Sequence, residues 1–365
     1  MTTDVVIIGA GVIGCATALE LSKAGIKSTV VDASGIGTEA SWAAAGVATH
    51  ANPGKGAYSR LRRLGHKYFC EFVEELQEES VVDLGFERTG SLETSFTEEE
   101  EFEAKKWDVE YVKCELPREK LTPAEAHDRD ACISPEIIAA RYQVNDCQVR
   151  NPRFSPAIAE AAKRRGVVFK LHTRVTGLIA AEDTILGIRT SDEEIHAGMT
   201  ILAAGVWSTA LAKTIGLNLP LYPLKGQMAL LEGPPGKLKH IIKGSGMYCI
   251  PRPDGKILIG ATIEEVGFDK RVTAEGIRSV LATAFKLAPG LKALPVTHHW
   301  AGLRPYTARK SGPLLGPVPG LDNFIVATGH YRNGILLGPV TGLMVKELVK
   351  DEQTSLELSA YRPDR

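Results

Sequence analysis

Two groups of residues have the types and spacing to do chemistry. In the first, Gly9, Gly11 and Gly14 of "GAGVIG" follow a β-branched run, "DVVIIG", and Asp32 closes a second run, "STVVD". In a G-x-G-x-x-G turn the first glycine permits the tight bend and the second lets a pyrophosphate approach the backbone. The third lets the following helix pack on the strand, and that helix's N-terminus offers amide donors to the phosphates. Asp32 can accept from ribose hydroxyls, and an acid there disfavours the 2′-phosphate of NADP. The second group centres on Arg304, which "HWAGLRPYT" (His299–Thr307) sets among apolar residues, in a turn closed by Pro305. A guanidinium in such a frame suits a carboxylate that arrives with a ligand, gripped by two parallel hydrogen bonds. Tyr248, in "MYCIP", sits on a strand able to form a pocket wall; its hydroxyl either joins that carboxylate or is satisfied within the core.

The elements that must position these groups can be read along the chain. "DVVIIG" has the character of a buried parallel strand, "VIGCATALELSKAG" is a helix ended by Gly25, and "STVVD" is the next strand. Thr97–Glu100 and Thr122–Glu125 both have capping-box spacing, with Pro123 in the first helical position, and mark two helices outside the first sheet. Asn151-Pro152 reads as the N-cap and first turn of a helix that Gly166 stops. "VVFKLHTRV" reads as one strand and "IRTSDEEIHAGMTILAAG" as a hairpin-like pair ending in a buried strand. Strand signals dominate from Pro220 to Ala261, where Pro253-Asp254-Gly255 is a hairpin turn. "NFIVATG" returns to the buried-strand type, and "NGILLGPVTGLMVKELVK" is the last helix. The expected fold is α/β: a discontinuous Rossmann-type domain carrying a second α+β domain with a mostly antiparallel sheet.

Bulk properties agree with this and exclude other classes. At 365 residues the chain exceeds one ordinary hydrophobic core. A net charge of −1, from 43 basic and 44 acidic residues, gives no global field for nucleic acid or an anionic membrane. The one basic run, "RLRRLGHK" (Arg60–Lys67), reads as the solvated face of a helix. "MTTDVVIIGAG" has no positive n-region and is not a signal peptide, and "ILLGPVTGLMV" is too short to span a bilayer. Cys15, Cys70, Cys114, Cys132, Cys147 and Cys249 are scattered, without a CxxC pair or a His/Cys cluster, so no metal site is expected and a cytoplasmic location with reduced thiols is.

The segment after Asp32 separates FAD from NAD. "ASGIGTEASWAAAGVATH" reads as a long small-residue loop without a strand, and Ala43, Ala44, Ala45 and Gly46 allow backbone to lie flat against a large planar ring. With "AAAGV", the ordered set "ILAAGVWS", "PLKGQM", "MYCIPR", "LIGAT", "WAGLRP" and "GHYRNGILLGPVTG" resembles the family of FAD-dependent D-amino-acid and glycine oxidases over nearly the whole chain, and most of all its glycine oxidases.

That resemblance implies a two-domain flavin amine oxidase fold: residues 1–82, 142–218 and 302–365 for an FAD-binding domain, and 83–141 and 219–301 for a substrate-binding domain. It implies non-covalent FAD, since no cysteine lies beyond Cys249 to tether it. The implied FAD-contacting residues are Gly9, Gly11, Val12, Ile13, Gly14, Asp32, Ala33, Ser41, Ala45, Gly46, Val47, Val175, Ala204, Gly205 and the run His330, Tyr331, Arg332, Asn333, Gly334, Ile335 and Leu336. Arg304 matches the residue that grips the substrate carboxylate, with Tyr248 and Arg332 lining the same pocket. Val47 and Ile263 stand where glycine oxidases can carry methionine, which changes pocket shape and leaves the preferred amino acid open. The implied reaction is hydride transfer from Cα of a small amino acid or secondary amine to flavin N5, with dioxygen reduced to hydrogen peroxide. The last helix would point its N-terminus at the flavin's N1/O2 edge. No histidine stands out as a general base, so the substrate amine is expected to lose its proton to water. The alternative in the same class is a dehydrogenase that passes electrons to a quinone or carrier. An enzyme acting on carrier- or RNA-bound amines and a non-catalytic flavin module are the readings from other classes. The resemblance further implies a homo-oligomer and suggests supply of a glycine imine for the thiamine thiazole.

Overall fold

The computed structural model describes residues 2–49, 53–308 and 312–364. Strand β1 (Thr2–Ile8) runs into α1 (Val12–Lys23), β2 (Ser28–Val31), the single turn α2 (Ala40–Ala43) and the short β3 (Val47–Ala48). The long helix α3 (Ala57–Glu79) leads to β4 (Ser91–Ser95), α4 (Glu98–Lys113), β5 (Glu119–Leu121), α5 (Pro123–Arg129), β6 (Ala139–Gln143), β7 (Cys147–Gln148) and α6 (Asn151–Arg164). Four strands follow, β8 (Val168–Lys170), β9 (Val175–Ala181), β10 (Thr184–Thr190) and β11 (Glu194–Leu202), and then α7 (Ser208–Ala212). Next come β12 (Leu221–Glu232), β13 (Ile241–Gly244), β14 (Met247–Pro251), β15 (Lys256–Gly260), α8 (Ala274–Leu287) and β16 (Val296–Thr307). The chain closes with β17 (Leu314–Pro317), β18 (Phe324–Thr328) and α9 (Gly334–Val349).

The first sheet has the order β17-β18-β11-β1-β2-β8, and β18, β11, β1, β2 and β8 are all parallel. Burial on both faces explains why "DVVIIG" is apolar without alternation. Val5 and Ile7 join a core with α1, α3, α6 and α9, whereas Val6 and Ile8 join one with β10 and β11 on the other face. The second sheet, β16-β12-β15-β14-β13-β4-β6-β5, is antiparallel except for the β13–β4 pair. Helix α8 covers it through Val280, Ala284 and Leu287. Among the described residues no helix is long and apolar enough to cross a membrane.

Several local expectations change. The small-residue segment after Asp32 is not strand-free, because β3 pairs with β7. "VVFKLHTRV" is two strands, since β8 pairs with β2 while β9 turns to pair with β10. Thr122–Glu125 forms a complete capping box, but at Thr97 only half of one forms: the Glu100 carboxylate accepts from Phe96 N instead. Helix α6 begins one residue early, with Asn151 inside it, because the Asn151 amide donates to the Ser41 and Trp42 carbonyls. "GLRP" is no turn. It lies within β16, an edge strand where the missing N–H of Pro305 disturbs no central ladder. The expected divisions at residues 142 and 302 therefore fall inside β6 and β16.

Candidate active site

Strand β1 runs into Gly9, whose φ is +107°; a Cβ there would stand 2.6 Å from the Ala203 carbonyl oxygen, so only glycine fits. Helix α1 starts immediately after Gly11, which has no capping side chain, and the Val12 N–H donates to Ser41 Oγ at 2.9 Å. Asp32, at the tip of β2, accepts from Ala10 N (2.8 Å) and Ser34 N (2.7 Å). Two backbone donors pin this carboxylate and leave it lone pairs for a further donor.

These groups line a cavity of about 1190 Å³. That exceeds the roughly 300–1,000 Å³ of most small-molecule sites and leaves room for a dinucleotide with a substrate beside it. Every cofactor residue expected from the sequence lines this cavity except Gly14 and Leu336. Gly14 packs against the Gly9 carbonyl, and Leu336 is buried in the core. Val47 lines the cavity, but Ile263 does not: it is half exposed to solvent outside it.

The far wall is the start of α9, which packs against α1. Tyr331 holds a φ of +51° and stacks edge-on with Tyr306 at 4.9 Å. Asn333 Nδ2 donates to the Tyr58 hydroxyl at 2.6 Å. His330 is fully enclosed, its Nε2 3.0 Å from Thr341 Oγ1, and burial pushes its pKa down to about 3. It is a neutral imidazole at any ordinary pH.

Arg304 reaches the cavity from β16, opposite Leu224 of β12. Its guanidinium lies over Gly226, where a Cβ would stand 2.1 Å from Nη2. Nη1 donates to the Thr262 carbonyl at 3.0 Å and the Lys225 carbonyl at 3.4 Å; among the described residues no carboxylate pairs with it. Burial pushes this guanidinium below its ordinary value, and the Tyr248 hydroxyl beside it works the other way. Tyr248 is on β14, and Arg332 is an exposed residue on the wall of the same cavity.

Three features escaped the sequence reading. Arg252 is buried, donates to Gln148 Oε1 (2.6 Å), Val149 O (3.1 Å) and Ala45 O (2.8 Å), and so holds the "AAAGV" segment; its only signal was membership of "MYCIPR". The basic run on α3 is not simply solvated, because Arg62 and His66 fall on the helix's buried face with Leu61, Phe69 and Val73. The expectation of no His/Cys cluster also fails: His66 and Cys70 share that face, Cys147 arrives on β7, and their ligand atoms lie within 4.8 Å of one another.

A parallel sheet that presents a glycine turn and two helix N-termini to one cavity, with an unpaired guanidinium across it, defines a dinucleotide-dependent oxidoreductase. Residues 4–348 match the DAO family of FAD dependent oxidoreductases, and the chain belongs to that family. It is 34% identical to the glycine oxidase of Pseudomonas aeruginosa over 100% of this chain and 99% of that protein. The crystal structure of glycine oxidase from Geobacillus kaustophilus superposes with a TM-score of 0.95 at 30% identity, covering 100% of this chain and 99% of that one. L-proline dehydrogenase from P. horikoshii superposes with a TM-score of 0.89 at 25% identity over 99% and 97% of the two chains. The cofactor is FAD. The Gly9 cradle, the N-terminus of α1 and the pinned Asp32 suit its ADP half, and the small residues Ala43–Gly46 on the cavity wall suit its ring system.

Proposed function

We propose that this protein oxidises a small amino acid or secondary amine and that Arg304 holds the substrate carboxylate. The observation that carries this reading is a buried guanidinium, opening on the FAD cavity, that donates to two backbone carbonyls and pairs with no carboxylate among the described residues. A buried charge without a counter-ion costs several kcal/mol, and a carboxylate arriving with the substrate offsets it. The planar fork fixes both position and rotation of that carboxylate, which aims the Cα hydrogen. Tyr248 adds a hydroxyl donor, and Arg332 closes the pocket beside them. The chemistry FAD supplies when bound is acceptance of an electron pair from the amino acid and its delivery to dioxygen, giving an imino acid and hydrogen peroxide. His330 is neutral and hydrogen-bonded to Thr341, so it takes no proton from the amine, which loses its proton to water. The uncapped start of α9 offers partial positive charge where negative charge develops. A homo-oligomer working in the cytoplasm, with FAD held non-covalently, belongs to the same proposal.

A panel of glycine, sarcosine, D-alanine and D-proline, read by peroxide release, tests it. Arg304→Met should retain flavin absorbance while kcat/KM falls about 10²–10⁴-fold, the equivalent of about 3–5 kcal/mol for a broken buried pair. Unchanged kinetics would place the carboxylate elsewhere, and turnover only with an artificial acceptor would reject dioxygen.

A further inference from the structure

A second buried guanidinium opens on the same cavity. Arg62, on the inward face of α3, is 8% exposed and lines the cavity with Arg304 and Arg332. Its Nη2 donates to Thr49 Oγ1 at 2.8 Å, and its Nε has no hydrogen-bond partner among the described residues. No carboxylate among the described residues pairs with it. The acid whose field it feels, Asp146, is already engaged by Lys243 Nζ and Ser91 Oγ. Arg332 repels both Arg62 and Arg304 across this cavity, whose wall also carries Arg118, Arg174 and Lys243.

Other buried guanidinia in this fold find their counter-ions or acceptors within the protein, although Arg118 Nε, like Arg62 Nε, has no partner among the described residues. Arg141, fully buried, pairs with both Glu101 and Asp108, and Arg118 pairs with Glu93 and Asp108. Arg252 has three acceptors around it. Arg62 has a single hydroxyl and the face of Tyr58, 6.0 Å away. The acids on the cavity wall do not fill the gap. Glu93 is taken by Arg118, Glu103 by Lys106 and Glu39 by Lys270; Asp32 accepts from Ala10 N and Ser34 N, Glu100 accepts from Phe96 N, and Glu99 is exposed to solvent, which screens it.

One carboxylate is accounted for by Arg304. We propose that Arg62 receives a second one: the preferred substrate is a small amino acid carrying another carboxylate, on its side chain or on its amine, and Arg62 sets that preference. This rests on the assignment of Arg304 above. The added carboxylate supplies the counter-ion that the protein withholds from Arg62.

The test compares acids with their neutral counterparts on the FAD-loaded enzyme: D-glutamate with D-glutamine, D-aspartate with D-asparagine, and iminodiacetate with sarcosine. Wild type should favour at least one acid over its counterpart by tenfold or more in kcat/KM, chiefly through KM. In Arg62→Met that ratio should fall at least tenfold, Arg62→Lys should restore part of it, and the exposed neighbour variant Arg60→Gln should keep it. Neutral members preferred throughout in wild type, or an equal loss on acid and neutral member in Arg62→Met, would overturn the assignment. A measurement on wild type alone guards against an unstable variant: succinate should perturb the flavin absorbance with a Kd at least tenfold below that of its monoamide, and equal affinities would refute the second anion site. Because succinate is not oxidised, this arm stands even if no amino acid turns over. Inorganic phosphate abolishing the succinate effect without competing with substrate would identify the occupant as a free anion and likewise reject the proposal.

Discussion

At the residue scale the site is a set of charges deliberately left without partners beside charges fully satisfied. His330 belongs to the satisfied kind: it is enclosed, neutral and hydrogen-bonded to Thr341. Its pKa is about 3 in the folded protein, against about 6.5 in an unfolded chain. Between those values the unfolded state binds a proton that the folded state refuses. Stability is therefore complete above about pH 6.5 and is lost as pH falls toward 3, by up to about 1.4 kcal/mol per pH unit. His330→Gln should flatten this acid limb, measured by denaturant unfolding of the flavin-loaded protein between pH 7 and 4. Parallel limbs in the two proteins would show that the acid sensitivity arises from other groups.

At the element scale, the pairing of β12 with β16 places Arg304. Gly226 faces Gly302 across that ladder, and Leu224 faces Arg304, so the guanidinium folds back over Gly226. Gly226→Ala would put a methyl group 2.1 Å from Nη2 and force the guanidinium to shift. The expected result is a KM for amino acids raised at least tenfold with flavin content intact, since a displacement of about 1 Å can cost a hundredfold in rate. Loss of flavin from this variant would mean that the β12–β16 ladder supports the cofactor directly. Arg252 plays the matching role for the cofactor, tying Ala45 to β7 and the β14–β15 hairpin.

At the scale of the whole molecule, the cavity is walled by both sheets and by the starts of α1 and α9, so FAD binds only the folded chain. Removing it should lower the unfolding temperature, because a ligand at a thousandfold excess over its Kd stabilises by about 4 kcal/mol. Differential scanning calorimetry of the deflavinated and reloaded protein measures this. An unchanged Tm would show that the cavity persists without help from its ligand.

Much of this architecture was legible because its signals are local. The strand–glycine–helix–strand opening, the Thr122–Glu125 cap and the Pro253–Gly255 hairpin each depend on residues a few positions apart. Helix α8, capped by Thr273, was overlooked amid strong strand signals on both sides, and β16 was read as a turn because a proline in an edge strand looks like a stop.

By itself the sequence determined the dinucleotide turn and the residue types available for chemistry, because steric demands of glycine and short-range periodicity act within one element. Only the tertiary structure decided that Arg62 joins Arg304 and Arg332 in one cavity, and that His66, Cys70 and Cys147 meet. Burial and charge pairing depend on which distant segments pack together, and no spacing along one chain encodes that.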